Sequence, residues 1–260
     1  MSEVQKNFRE YLESKDTVFG VFTKTNDPFF IEILGKAGFD FVILDTEHGP
    51  NDPRAVYPLI MAAKLNNMYP VVRVPKLTDI DIQRTLDLGV SGVQIPQIQC
   101  KEDAIKVKQY TRFHPKGMRG LCRFVRPADF SLKDKSDYFA EQNEVTTIIH
   151  IEGVEGINNL DEIIQVEDID IIFIGPYDLS QSMGIPGEVE HPELLTEIEK
   201  IVEKCKVHNK HIGIFTESVS LALKYKALGI KYISYSVDVG IFAEACSSIV
   251  KQLNEIKAPA

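Results

Sequence analysis

Basic charge is in short supply in this chain of 260 residues, where 29 lysines and arginines face 38 aspartates and glutamates for a formal net charge of −9. Nucleic-acid binding calls for a basic face that neutralises phosphates, so that class of function is set aside. Cysteine is sparse as well. Cys100, Cys122, Cys205 and Cys246 are widely scattered, with no CxxC pair and no Cys/His cluster. The usual structural zinc patterns are therefore excluded, and the thiols read as free groups in a reducing compartment. No apolar run approaches the roughly 20 residues that span a bilayer. The N-terminal stretch MSEVQKNFREYLES is polar and mixed in charge, unlike a signal peptide. A cytoplasmic location with no membrane partner is expected. Internal repeats, linkers and low-complexity segments are also lacking, and residues 1–260 read as one domain.

What the chain does have is a globular composition, 44% hydrophobic and 26% charged, and a length close to that of one (β/α)₈ barrel. It also has a rhythm. Short β-branched runs occur at Thr17–Thr23, Phe39–Asp45, Pro70–Val74, Gly92–Ile95, Val145–Ile151, Asp170–Ile174, His211–Phe215 and Lys231–Tyr235. Several are almost wholly apolar, as suits parallel strands covered on both faces. Amphipathic segments lie between them, clearest at Pro53–Leu65, Asp79–Leu88, Lys101–Thr111, Pro192–His208 and Ser218–Leu228. Gly89 and Gly229 follow two of these, where helix C-caps belong. Strand and helix alternating through the chain favour a TIM barrel over a doubly wound open sheet. The long irregular connection Phe113–Glu144 is expected to shape the mouth of a site.

Catalytic groups of such barrels sit at the C-terminal ends of the strands and in the loops that follow. The second strand ends at Asp45, followed by Glu47 and His48, and the third carries Arg73. The fifth ends with His150 and Glu152, two apart and so on one face. The sixth leads through Tyr177 to Asp178, and the seventh and eighth supply Thr216, Glu217, Ser236 and Asp238. Glu152 and Asp178 follow adjacent strands, so their carboxylates repel unless a proton or cation lies between them. Mg²⁺ and Mn²⁺ take such oxygen ligands, often one or two carboxylates completed by water and substrate. Both residues equally suit capping a loop or a helix. Asp45 beside His48 fits a base whose tautomer is fixed by a carboxylate, or a plain surface turn in Glu-His-Gly-Pro-Asn. Arg73 needs a partner if it points inward: either a developing enolate oxygen or simply Glu47.

The segments LDTEHGPN, PVVRVP, IIHIEGVEGINNLDEI and FIGPYDLSQSMGIPG resemble the signatures of the HpcH/HpaI aldolase (citrate lyase) family, in its class II pyruvate-dependent aldolase branch. The resemblance runs from about Thr17 to Asp238, and the Glu and GP-x-DLS segments are specific to it. It implies a barrel of the phosphoenolpyruvate/pyruvate-binding type that cleaves or forms 4-hydroxy-2-keto acids. Glu152 and Asp178 would bind a divalent cation (Mg²⁺, Mn²⁺ or Co²⁺) that chelates the 2-keto acid and lowers the pKa of its methyl protons. Arg73 would stabilise the enolate oxygen. His48, oriented by Asp45, would handle the proton, and backbone N–H groups at Tyr177 and Asp178 would hold the carboxylate. Phe22 would line the aldehyde pocket. The resemblance also implies a homotrimer or homohexamer, with the tail Val239–Ile256 available for exchange between subunits.

Two positions depart from the family pattern. His150 stands where many relatives carry Gln, so it either hydrogen-bonds near the metal as the Gln does or ligates the metal itself. Tyr177 replaces a small residue, which would narrow the pocket. A Schiff-base aldolase would need a desolvated lysine, and Lys24 and Lys76 read as solvated loop residues. A lyase acting on acyl-CoA thioesters is the nearest alternative enzyme. It fits less well because the Asp-x-Glu-His segment belongs to the aldolase branch. A non-catalytic barrel that binds a metal or a keto acid is the alternative outside enzymes. Arg123 and Arg126 in the long connection are candidates for a distal substrate carboxylate.

Overall fold

The computed structural model describes residues 7–255. Met1–Lys6 of the N-terminal stretch and Ile256, the last residue of the tail, lie outside them. Eight parallel strands close in sequence order: β1 (Val18–Thr23), β2 (Phe41–Asp45), β3 (Tyr69–Arg73), β4 (Gly92–Ile95), β5 (Thr146–Ile151), β6 (Ile171–Ile174), β7 (His211–Thr216) and β8 (Tyr232–Val237). The (β/α)₈ barrel expected from the alternation is the fold. Strand limits move by one or two residues. Phe39 and Asp40, for example, precede β2, where the Asp40 carboxylate accepts from the Phe19 N–H at 2.9 Å.

The helices are α1 (Phe8–Ser14), α2 (Pro28–Ala37), α3 (Pro53–Leu65), α4 (Asp79–Asp87), α5 (Lys101–Thr111), α6 (Lys135–Gln142), α7 (Val154–Asn158), α8 (Leu160–Ile163), α9 (Pro176–Ser182), α10 (Pro192–Val207), α11 (Val219–Ala227) and α12 (Asp238–Glu255). Local chemistry sets their starts. The Asp52 side chain accepts from the N–H groups of Arg54 and Ala55 ahead of Pro53, and Thr78 caps α4 by accepting from Asp81. No helix among the described residues is long and apolar enough to cross a membrane.

Two apolar layers result. The larger lies between strands and helices; the smaller fills the barrel around Phe41, Ile43, Val71, Ile148, Phe173 and Tyr232. Phe41 stacks on Tyr232 with ring centroids 4.0 Å apart, and a methyl at Gly20 would sit 2.2 Å from the Phe41 ring, so only glycine fits there. From below, α1 inserts Phe8, whose ring stacks on Tyr69 at 4.7 Å. The N-terminal end of the barrel is thereby plugged.

The long connection departs from expectation in place and in content. It holds a 3₁₀ turn (Arg126–Ser131) and α6. Because it joins the end of a helix to the start of a strand, it lies at the N-terminal end of the barrel, away from the catalytic rim. There Arg112 is fully buried and donates to the carbonyls of Val145 at 3.1 Å and Asp168 at 2.9 Å. Arg119 reaches Asp87 at the end of α4 at 2.9 Å. Arg123 donates to the carbonyls of Ser131 and Lys133 at 3.0 and 2.7 Å, and Arg126 lies over the Tyr57 ring. Neither arginine reaches the mouth of its own barrel.

Candidate active site

A cavity of about 160 Å³ opens at the C-terminal rim between the ends of β1, β2, β3, β5, β6, β7 and β8. Its lining includes Phe22, His48, Arg73, His150, Glu152, Tyr177 and Asp178, so the barrel gathers around one space seven of the eight residues placed at the site with the family resemblance. The eighth, Asp45, is fully buried just behind Arg73.

The carboxylate pair is organised by a glycine. Gly175 follows β6, and the point where its Cβ would stand is 2.9 Å from Glu152 Oε2 and 3.9 Å from Asp178 Oδ2. Both oxygens therefore face one small space that any larger residue would fill. Glu152 is nine-tenths buried, and its other oxygen accepts from the Gln97 N–H at 2.8 Å. Burial alone would raise its pKa. The facing His150 imidazole and the Gln97 N–H outweigh that and hold the carboxyl below its usual range.

His150 Nδ1 lies 2.9 Å from Glu152 Oε2. The carboxylate can only accept, so Nδ1 carries a proton. Gln94 faces Nε2 with its amide nitrogen, and its Oε1 in turn accepts from the Tyr232 hydroxyl at 3.3 Å. The ring packs on Phe173 with centroids 4.5 Å apart. A buried relay Tyr232–Gln94–His150–Glu152 thus runs up the barrel axis. Both imidazole nitrogens are engaged, and the hydrogen bond goes to the carboxylate itself. Among the described residues no three His, Cys, Asp or Glu side chains converge as a ligand set.

Asp45 anchors the opposite wall. Its carboxylate accepts from Arg73 Nε at 2.9 Å and Nη2 at 2.6 Å, a two-pronged pair. Arg73 Nη1 lies 3.0 Å from Glu47, and the guanidinium rests over the Phe22 ring at 4.8 Å. Burial would raise the Asp45 carboxyl, but Arg73 and Lys24 together hold it low. For Glu47 burial prevails over Arg73, and its pKa rises. Asp45 does not orient the His48 ring as expected. Saturated by the two cations, it reaches only the backbone N–H groups of Glu47 and His48, at 3.0 and 3.4 Å. The imidazole is 64% exposed, with Nε2 4.0 Å from Glu47.

Lys24 corrects the sequence reading. It is not a solvated loop residue: it lines the cavity, and its ammonium is bound to the Asp45 carboxylate and the His48 carbonyl oxygen. It directly follows the last residue of β1, so the strand-end rule applied to the other candidates would have found it. Phe173, Phe215 and the Gln97 N–H were also missed. Asp238, by contrast, is structural. It accepts from the N–H groups of Lys24 and Thr25 at 2.9 and 3.1 Å and ties β8 to the loop after β1. Tyr177 is the second residue of the short helix α9, where its N–H and that of Asp178 precede the first intrahelical bond, from Leu179 to Gly175. Its hydroxyl donates to Glu217, and that bond, aided by burial, pushes its pKa up to about 12.

A model of the HpcH/HpaI aldolase/citrate lyase family matches residues 18–245. The 5-keto-4-deoxy-D-glucarate aldolase of Shigella dysenteriae is 35% identical over 243 residues, covering 93% of this chain and 94% of that protein. Among solved structures, an HpcH/HpaI aldolase from Desulfitobacterium hafniense superposes with a TM-score of 0.91 at 27% identity, covering 96% of this chain and 98% of that one. Citrate synthase SbnG superposes with a TM-score of 0.87 at 30% identity, covering 96% and 98%. This chain belongs to the HpcH/HpaI aldolase/citrate lyase family.

Proposed function

We propose that this carbon–carbon lyase joins pyruvate, or a similar 2-keto acid, to an aldehyde and cleaves the resulting 4-hydroxy-2-keto acid, using a divalent cation held by Glu152 and Asp178. The observation that carries this reading is the space beside Gly175, bordered by one oxygen from each carboxylate, with Arg73 lining the same cavity. The residues fit the cation. Two hard oxygen donors suit Mg²⁺, Mn²⁺ or Co²⁺ and leave positions for the keto and carboxylate oxygens of the substrate. When bound, the cation would polarise the keto group and make the methyl protons more acidic.

The chain's own residues do the rest. The first-turn N–H groups of Tyr177 and Asp178 receive the substrate carboxylate. Arg73, with N–H groups beyond those given to Asp45 and Glu47, stabilises the charge that develops on the keto oxygen. His48 moves the proton. It leaves the methyl carbon, that carbon bonds to the aldehyde carbon, and a proton ends on the aldehyde oxygen. Phe22 carries Arg73 on its face and walls the aldehyde side. His150 keeps Glu152 aimed at the cation. Lys24, tied to Asp45, holds the turn that bears His48.

Exchange of the pyruvate methyl protons in D₂O tests this. Mn²⁺ should accelerate it, and a purified protein showing no metal-stimulated exchange would contradict the proposal. Loss in Glu152→Gln together with measurable exchange in Lys24→Ala would rule out a Schiff-base route. The reading extends to assembly: α12 exposes Val239, Phe242, Ile249, Val250 and Leu253 along one stripe, which suits packing across a subunit boundary in a homotrimer or homohexamer. Sedimentation at several concentrations tests it, and a monomer throughout would refute it. A cytoplasmic location belongs to the same proposal, and fractionation of cells tests it.

A further inference from the structure

Two polar side chains inside the barrel have no part in the chemistry assigned above. Gln94 of β4 and Tyr232 of β8 are fully buried, and neither lines the cavity at the rim. They cannot touch the substrate. The interior around them is apolar, with Val71, Ile148 and Phe173 among its members. An amide buried in such surroundings is costly unless its hydrogen bonds are made. Where those of Gln94 go is therefore informative. Its nitrogen meets His150 Nε2, and its Oε1 accepts from the Tyr232 hydroxyl at 3.3 Å. The Tyr232 ring is held in turn by its stack on Phe41, and β7 leaves room for it with Gly213, where a methyl would come 2.8 Å from both Tyr232 and Phe173.

The imidazole between Gln94 and Glu152 needs more than packing to keep its orientation. Its stack on Phe173 fixes the plane of the ring but not which edge faces Glu152. A half-turn about the Cβ–Cγ bond keeps that plane and exchanges Nδ1 for the carbon Cδ2. The turn would take the N–H donor away from Glu152 Oε2 and, at the same time, Nε2 away from Gln94. Each of those losses leaves a buried polar atom unpaired. Gln94 thus selects the edge that Glu152 receives.

We propose that Gln94, steadied by the Tyr232 hydroxyl, is a positioning residue for the cation site: it locks His150 with Nδ1 toward Glu152, and so keeps Glu152 Oε2 directed into the space beside Gly175. The inference rests on the reading of Glu152 as a cation ligand. Residues that orient a ligand from behind commonly change metal affinity 10–100-fold. Gln94 stands one hydrogen bond further out than His150 and acts only through it.

Calorimetric titration with Mn²⁺ tests this through a double-mutant cycle. Gln94→Leu, which removes the amide and keeps apolar bulk, should raise the Kd about tenfold. Added to His150→Ala, the same substitution should change the Kd by less than about twofold, because its route to Glu152 is already cut. Tyr232→Phe keeps the ring stack and should raise the Kd about threefold, the smaller effect of a bond further away. In the metal-free protein, the imidazole nitrogen resonances of His150, assigned by their loss in His150→Ala, should move in Gln94→Leu. A purely structural Gln94 would lower the urea midpoint and leave both the Kd and the resonances in place. That result overturns the proposal, and so does a tenfold loss that persists in the His150→Ala background. Should Gln94→Leu fail to fold, Tyr232→Phe decides alone, and a Kd equal to that of wild type overturns it. Wild type that binds Mn²⁺ while the variants bind it equally well removes the positioning role alone. Wild type that binds no Mn²⁺ removes the cation reading and this inference with it.

Discussion

Asp45 is the most heavily committed side chain of the site, fully buried and shared by Arg73 and Lys24. Replacing it with Asn leaves two cations facing a neutral amide. We expect Asp45→Asn to cost about 3–5 kcal/mol of folding stability, measured by urea denaturation. The pH dependence follows from the same contacts. Asp45 and Glu152 are held below their ordinary values of 3.8 and 4.5 despite burial, by Arg73 and Lys24 in one case and by His150 and the Gln97 N–H in the other. Their stabilisation is therefore complete above those ordinary values and is lost as pH falls through the depressed ones. Acid unfolding followed by circular dichroism should show this loss, flattened in Asp45→Asn. His150 works through Glu152. His150→Ala should weaken Mn²⁺ binding roughly 10–100-fold in calorimetry, the usual effect of removing a residue that orients a ligand. Unchanged binding would leave the ring a packing role against Phe173.

At the scale of the element, the turn from β6 into α9 concentrates the proposed chemistry. Gly175→Ala would place a methyl 2.9 Å from Glu152 Oε2, forcing the carboxylate aside. Metal-stimulated exchange should be lost while the circular dichroism spectrum is kept. Elements were the most legible part of the sequence. The limits of α3 and α5 match those read from it, in α3 because Asp52 and Pro53 mark the start by their own chemistry. Strands were found from β-branched runs, and six of the rim's side chains from their position at strand ends. What escaped depended largely on distant closure. Lys24 could be flagged by its place just past β1, but its inward turn follows from Asp45, which offers a buried carboxylate on the neighbouring strand. His150 pairs with Glu152 because Gln94 and Tyr232 occupy its far side, and Tyr232 is 138 residues from Gln94. The misplaced connection is a different failure, since the order helix-then-strand already put Phe113–Glu144 at the opposite end of the barrel.

For the molecule as a whole, the aromatic stack inside the barrel and the plug beneath it act together. Phe8 is 2% exposed and touches the rings of Phe41, Tyr69 and Tyr232. Phe8→Ala should cost about 3–5 kcal/mol in urea, while the protein that remains folded keeps its metal-stimulated exchange, because the plug lies at the far end from the rim. Loss of exchange in folded Phe8→Ala would mean that the two ends of the barrel are coupled.

The plug also bears on the order of events in turnover. A barrel sealed below has a single doorway, and in the proposed binding mode the keto acid lies deeper in it than the aldehyde. In the cleavage direction the aldehyde must depart first and pyruvate last; in synthesis pyruvate must enter before its partner. Product inhibition should then show pyruvate competing with the 4-hydroxy-2-keto acid for free enzyme, and the aldehyde giving a mixed pattern. Queueing of this kind comes from the shape of the container, independent of the chemistry inside it.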